Sequence, residues 1–154
     1  MDILIDTNIL IRAAHRKSAT HSEAIKALRT LRVRGDRICV VPQNLYEFWV
    51  VATRPISNNG LDLTSNQAHL LVSRIEESCR VLRDPPELYD EWRRLIVSHG
   101  VSGKKAHDTR LVAAMMVHGI NQILTFNVDD FTRYSGIKVL QPGMLNDEGY
   151  QSKG

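Results

Sequence analysis

The sequence holds no apolar run near the roughly 18 residues that cross a bilayer as a helix, and only two cysteines, Cys39 and Cys79, in 154 residues. The first lack argues against a membrane-spanning chain. The second argues against a disulfide-stapled secreted scaffold; the cysteines show no metal-ligand spacing and read as free thiols in a reducing compartment. The six histidines have no H-x-x-x-H or similar spacing, which argues against a zinc centre. No basic segment precedes Ile3, and Asp2 stands where a secretory leader would be basic, so the expected location is cytoplasmic. Neither an internal repeat nor a Pro/Gly-rich linker divides the chain, which reads as one domain over 1–143 with a tail over 144–154.

What is present is an ordinary globular composition, 43% hydrophobic and 24% charged, with a net charge of +3 and a pI near 9.0. Short apolar runs alternate with amphipathic stretches. Strands are expected at Asp2–Asp6, 38–41, 80–82, 122–125 and 137–140. Helices are expected over 9–16, 21–34 (stopped by Gly35), 43–54, from the Thr64-x-x-Gln67 capping box through Ile75, 86–100 and 108–118. Residues 146–154 read as a frayed tail. The strands are continuously apolar, not alternating, which predicts a parallel sheet covered by helices on both faces. Such sheets bind ligands outside the carboxyl ends of their strands.

Three carboxylates interrupt apolar segments. Asp6 ends the run Ile3-Leu4-Ile5. Glu47 lies in "NLYEFWVVATRP", and Asp108 opens "HDTRLVAAM". Each has a plain structural reading: Asp6 as a turn former, Asn44-x-x-Glu47 as a capping box, Asp108 as a helix N-cap. If they meet, one must be protonated or a divalent cation must bridge them, because two carboxylates about 4 Å apart repel by roughly 4 kcal/mol at an effective dielectric near 20. Mg²⁺ prefers oxygen ligands and suits such a group. His107 reads as a surface or supporting residue. The basic residues, including Arg12, Arg16, Lys17, Arg54 and Arg133, would then surround an acidic centre, a distribution that suits an anionic backbone.

The segments "ILIDTNIL", "VVPQNLYEFWVVATRP", "HDTRLVAAM", "ILTFNVDDF" and "IKVLQP" together resemble a PIN-domain ribonuclease, and more narrowly the VapC-type toxins of toxin–antitoxin pairs. The match runs from Met1 to about Gly143. It implies a Rossmann-like α/β/α sandwich with a central parallel sheet of about five strands in the order 3-2-1-4-5. It also implies an Mg²⁺- or Mn²⁺-dependent endoribonuclease whose products carry a 5′ phosphate and a 3′ hydroxyl. The acidic positions fall on Asp6, Glu47 and Asp108, which the resemblance makes catalytic and metal-binding. Thr7, Asn8 and Thr125 match polar residues that support them. A fourth acidic residue of many relatives is replaced by Asn127; Asp129 and Asp130 follow, and Asn127 or Asp130 is expected to take its role.

Lys104, Lys105 and Arg110, nearest Asp108 in sequence, are the first candidates for RNA backbone contacts, and 54–66 and 99–107 are candidate substrate loops. Tyr46, Trp49 and Phe126 flank the motifs and could stack bases or fill the core. The resemblance further implies a cognate VapB-type antitoxin and a homodimer; Leu71, Ile75 or Trp92 are candidates for its surface. A module of the same fold that holds RNA or metal without cutting it, and a processing nuclease that is not a toxin, are the alternatives. A phosphatase with Asp6 as nucleophile is disfavoured, because Asn8 stands where a second aspartate is needed.

Overall fold

A computed structural model describes residues 1–145. Its element order is β1 (Asp2–Ile5), α1 (Thr7–Ala14), α2 (His21–Val33), β2 (Arg37–Val40), α3 (Pro42–Thr53), α4 (Ser65–Ser78), β3 (Arg80–Val81), α5 (Glu87–His99), α6 (Lys105–Val117), β4 (Gln122–Leu124) and β5 (Lys138–Leu140). All neighbouring strands are parallel, in the order β3-β2-β1-β4-β5. The sheet and its order are those expected.

Side chains one residue apart on a strand face opposite layers, and the core divides accordingly. Ile3, Ile5, Ile38, Val40 and Leu124 pack with α1–α4 residues such as Ile9, Leu31, Phe48 and Ala68. Leu4, Cys39 and Ile123 pack with Leu88 and Leu95 of α5 and the buried run Leu111–Met115 of α6. The burial of the three central strands, β2, β1 and β4, on both faces accounts for their apolar runs. Leu145 is also buried in the first core, so packing continues at least that far into the segment read as a tail. The frayed end expected for 146–154 lies outside the described residues. Among the described residues no helix is long and apolar enough to cross a membrane.

Two boundaries differ from the sequence reading in ways that matter for function. The first helix starts at Thr7, not Ile9, because Asp6 caps it by accepting the Thr7 N–H at 2.7 Å. Helix α6 starts at Lys105, not Asp108. Gly103, at φ +64°, turns the chain into that helix, and the Ala106 and His107 amides bond back to the Gly103 and Lys104 carbonyls. Asp108 is therefore not an N-cap; it lies in the first turn, where the helix dipole favours a carboxylate.

Gly60 occupies a position with no room for a side chain: a Cβ there would overlap the Arg54 backbone carbonyl. The Gly60 amide donates to Pro55 O, and the neighbouring Asp62 amide donates to that same Arg54 carbonyl. Gly60→Ala is expected to cost about 2 kcal/mol, lowering Tm by several degrees; a melting curve that superimposes on wild type would contradict the packing described.

Candidate functional site at the carboxyl edge of the sheet

Strands β1 and β4 are neighbours, while the chain leaves β1 towards β2. This is the point where strand order reverses, and its carboxyl edge is the expected place for a ligand. Asp6 leaves β1 here, its amide still in the ladder through Leu124 O at 2.9 Å. Thr125 leaves β4 beside it and is fully buried, while Asp6 is 8% exposed.

Asp6 is held from both sides. Its Oδ1 accepts the Thr7 N–H, and its Oδ2 accepts the Thr125 hydroxyl at 2.7 Å and the Asn8 amide at 3.2 Å. Thr125 Oγ1 in turn accepts the Asn127 N–H at 2.9 Å and the Asn8 amide at 3.3 Å. Each hydroxyl and amide proton in this group is committed, so the carboxylate has one orientation. Asp6 thus caps α1 and belongs to the cluster at once; the two sequence readings were not alternatives.

Glu47 reaches the same edge from α3. Its Oε1 accepts the Thr7 hydroxyl at 2.9 Å, and that hydroxyl accepts the Asn44 amide at 3.2 Å. The Asn44 Oδ1 accepts the Val41 N–H at 2.9 Å. Asn44 is fully buried and links the start of α3, with Pro42 at its first position, to Thr7 and so to Glu47. The expected capping box between Asn44 and Glu47 does not form, because Glu47 faces Thr7. Sequence reasoning missed Asn44 as a supporting residue; its place two residues after a strand-ending Pro was the available signal.

Asp108 comes from the first turn of α6. Burial first, then the charges of Asp130, Asp6 and Glu47, push its carboxyl up to about 7, against an opposing pull from Lys105. For Asp6, burial is again the largest cause; Thr125 and Thr7 oppose it, Glu47 and Asp130 add to it, and the carboxyl sits at about 6. Asp6 and Asp108 therefore both lie in the field of Glu47 and Asp130 at this edge. Asp130 reaches it from the single turn Val128–Asp130. Asn127 is exposed and contributes its backbone N–H to Thr125.

The donor set is oxygen only, and it gathers negative charge that folding alone leaves poorly compensated. Among the described residues no three Asp, Glu, His or Cys side chains stand close enough together to hold a metal ion as they are placed. An open group of carboxylates fits Mg²⁺ or Mn²⁺, which take a few carboxylates and retain waters, better than zinc. His107 is exposed and serves through its carbonyl, which accepts the Gln43 amide at 2.8 Å.

The expected RNA contacts differ among themselves. Lys104 and Lys105 are exposed at the start of α6. Arg110 instead donates to Gln43 Oε1 at 2.9 Å and forms an ion pair with Asp84 at 2.8 Å, so a phosphate contact from it requires breaking that pair. Trp49 and Phe126 pack against the first core, and Tyr46 is 65% exposed. Leu71 and Ile75 pack against the first core and Trp92 against the second. A concavity of about 680 Å³ is lined by residues such as Met1, Asn121 and Lys138 at the opposite end of the strands.

A family model described as PIN domain matches residues 3–137. Ribonuclease VapC24 of Mycobacterium tuberculosis is 27% identical over 145 residues, covering 90% of this chain and 94% of that protein. Among solved structures, DNA-bound VapBC from Salmonella typhimurium has a TM-score of 0.68 at 16% identity, covering 92% of this chain and 98% of that one. Mycobacterium tuberculosis VapC20, described as a Sarcin-Ricin loop cleaving toxin, has a TM-score of 0.62 at 18% identity, covering 83% and 92%. At these identities the structural likeness bears on the fold.

Proposed function

Because the chain belongs to the PIN domain family, we propose that it is a divalent-cation-dependent endoribonuclease, the toxin of a toxin–antitoxin pair. The observation that carries this reading is the cluster of Asp6, Glu47, Asp108 and Asp130 at the switch-point edge, two of them with carboxyl groups raised by burial and by the others. The similarity to Ribonuclease VapC24 supports RNA as substrate. The fold shared with VapBC complexes supports a small antitoxin protein as partner.

Asp6 and Asp108, with Glu47 or Asp130, would hold the cation. When bound, Mg²⁺ or Mn²⁺ supplies Lewis acidity, which acidifies water and neutralises charge on the phosphodiester. Asp6 arrives already oriented by Thr7, Asn8 and Thr125, so no side-chain ordering is left for the moment of reaction. Thr7 fixes one oxygen of Glu47 and leaves the other to orient the attacking water and accept its proton. The water oxygen bonds to phosphorus as the bond to the 3′ oxygen breaks, and that oxygen takes a proton from solvent water, leaving a 5′ phosphate and a 3′ hydroxyl. Lys104 and Lys105 position the backbone without reading bases.

Purified protein with Mg²⁺ or Mn²⁺ and a labelled structured RNA tests this. Cleavage abolished by EDTA is the expected result. Binding with no cleavage under any divalent cation would replace the enzyme by a binding module.

The same reading divides the roles of two neighbouring residues. Asp130 acts on both Asp6 and Asp108, while Asn127 offers its backbone. Asp130→Ala is expected to lower kcat/KM by about 10- to 100-fold, the size of losses at residues that support a metal site, with Asn127→Ala near wild type. The reverse pattern in steady-state kinetics would return the fourth role to Asn127.

A further inference from the structure

On the β2–β3 side of the acidic cluster, the carboxyl edge carries a second concavity that the phosphodiester chemistry leaves unused. It measures about 430 Å³, and its walls include Asp84, Pro85, Pro86, Tyr89, Trp92 and Arg110. It is mechanically tied to the cluster. Arg110 follows Asp108 by two residues on α6, about 3 Å along the axis. The two side chains diverge, Asp108 towards Asp6 and Arg110 towards Asp84. Gln43 braces the junction, donating to the His107 carbonyl and accepting from Arg110.

The chemistry of the cavity is unlike that of a phosphate site. Arg110 is paired with Asp84, so the rim presents both charges and no lone cation. The prolines are rigid and lack backbone N–H donors. Trp92 is fixed as a wall, its indole N–H donating to the Ala106 carbonyl at 2.9 Å. Tyr89 lies 6.1 Å from it, centroid to centroid, tilted by 35°, and is 60% exposed. A single exposed aromatic needs no explanation. An exposed ring beside a second aromatic, in a neutral concavity next to a nuclease centre, suits a flat, uncharged group with a π face. The volume falls in the range of small-ligand sites.

We propose that this cavity is a base subsite: it takes one unpaired nucleobase, stacked on Tyr89, from the RNA whose backbone lies across the acidic cluster. The proposal rests on the endoribonuclease reading and adds to it a requirement on the substrate. A base stacked inside a duplex has no free face to offer the ring, so the RNA is read where it is single-stranded or looped. Stacking tolerates every base, so the subsite fixes register more than sequence.

The test is a short unstructured RNA of mixed sequence carrying one abasic nucleotide moved stepwise past the cleavage site. It is cut with Mg²⁺ by wild type, Tyr89→Ala and Tyr89→Phe, with melting temperatures as the control for folding. At one register, removal of the base is expected to lower wild-type kcat/KM by roughly 5- to 150-fold, the range for one base–aromatic stack, mainly through KM. Tyr89→Ala should lose a similar factor on the intact RNA and nothing further on that abasic RNA, while Tyr89→Phe stays near wild type. Additive losses, or no register at which the base matters, in an enzyme whose cleavage remains EDTA-sensitive would overturn the subsite and leave the nuclease reading standing. Failure of wild type to cut any RNA would overturn both.

Discussion

Asp6→Asn and Asp108→Asn are each expected to lower kcat/KM for RNA cleavage by at least about 10³-fold, close to 4 kcal/mol of transition-state stabilisation, without unfolding the protein. The substitution removes the charge and keeps the size and shape of the side chain. At position 6 the amide oxygen can still accept the Thr7 N–H, while the amide nitrogen meets two donors, the Thr125 hydroxyl and the Asn8 amide; a flip of the Asn8 amide presents its oxygen instead and frees a Thr125 lone pair to accept. What is lost is a negative oxygen in a group that needs a cation. In EDTA the same change should raise stability, because one member of a mutually repelling set is gone. For the buried Asp6 the gain is on the order of 1–3 kcal/mol at pH 8. Loss of activity with an equal or higher Tm in EDTA separates a catalytic role from a structural one. Undiminished cleavage by either variant would contradict the assignment.

The second large effect is an inverted pH dependence of the metal-free protein. Asp6 and Asp108 start from the ordinary carboxylate value of 3.8 in the unfolded chain and are raised to about 6 and about 7 in the fold. Between these values the folded state holds protons that the unfolded state has released. Their contribution to stability is complete below about pH 4 and is lost as pH rises through 6 to 7. For Asp6 a shift of about two units sets an upper scale of roughly 3 kcal/mol; Asp108 is half exposed and contributes less than its shift suggests. Urea unfolding in EDTA between pH 4 and pH 8 should show this as a wild-type curve that falls relative to Asp6→Asn, and millimolar Mg²⁺ should close the gap. Parallel curves with no response to Mg²⁺ would contradict it.

The sheet was legible because its central strands are buried on both faces and so carry apolar runs, and because Asp6 breaks the first run at the place a ligand edge requires. The start of α6 was not legible. Lys104-Lys105-Ala106-His107 looks like a polar loop, and no side chain caps the helix; the turn is made by the backbone of Gly103. That shift is what converts Asp108 from a plausible cap into a member of the cluster. The choice between Asn127 and Asp130 was also closed to sequence reading, since a single helical turn, Val128–Asp130, decides which carboxylate faces inward. Arg110 is the converse case. Its place beside Asp108 suggested a phosphate contact, but Asp84 and Gln43, distant in sequence, engage its guanidinium. Exposure at one aromatic carries no pattern in a sequence, so Tyr89 gains meaning only from the cavity beside Trp92.

Crystals soaked in Mn²⁺ and measured for anomalous scattering put the whole proposal at risk in a single map. A manganese peak coordinated by carboxylate oxygens of Asp6 and Asp108, within reach of Glu47 or Asp130, is the predicted result. A protein that cuts RNA while manganese sits elsewhere, or nowhere, would show that these four side chains do not form the centre described.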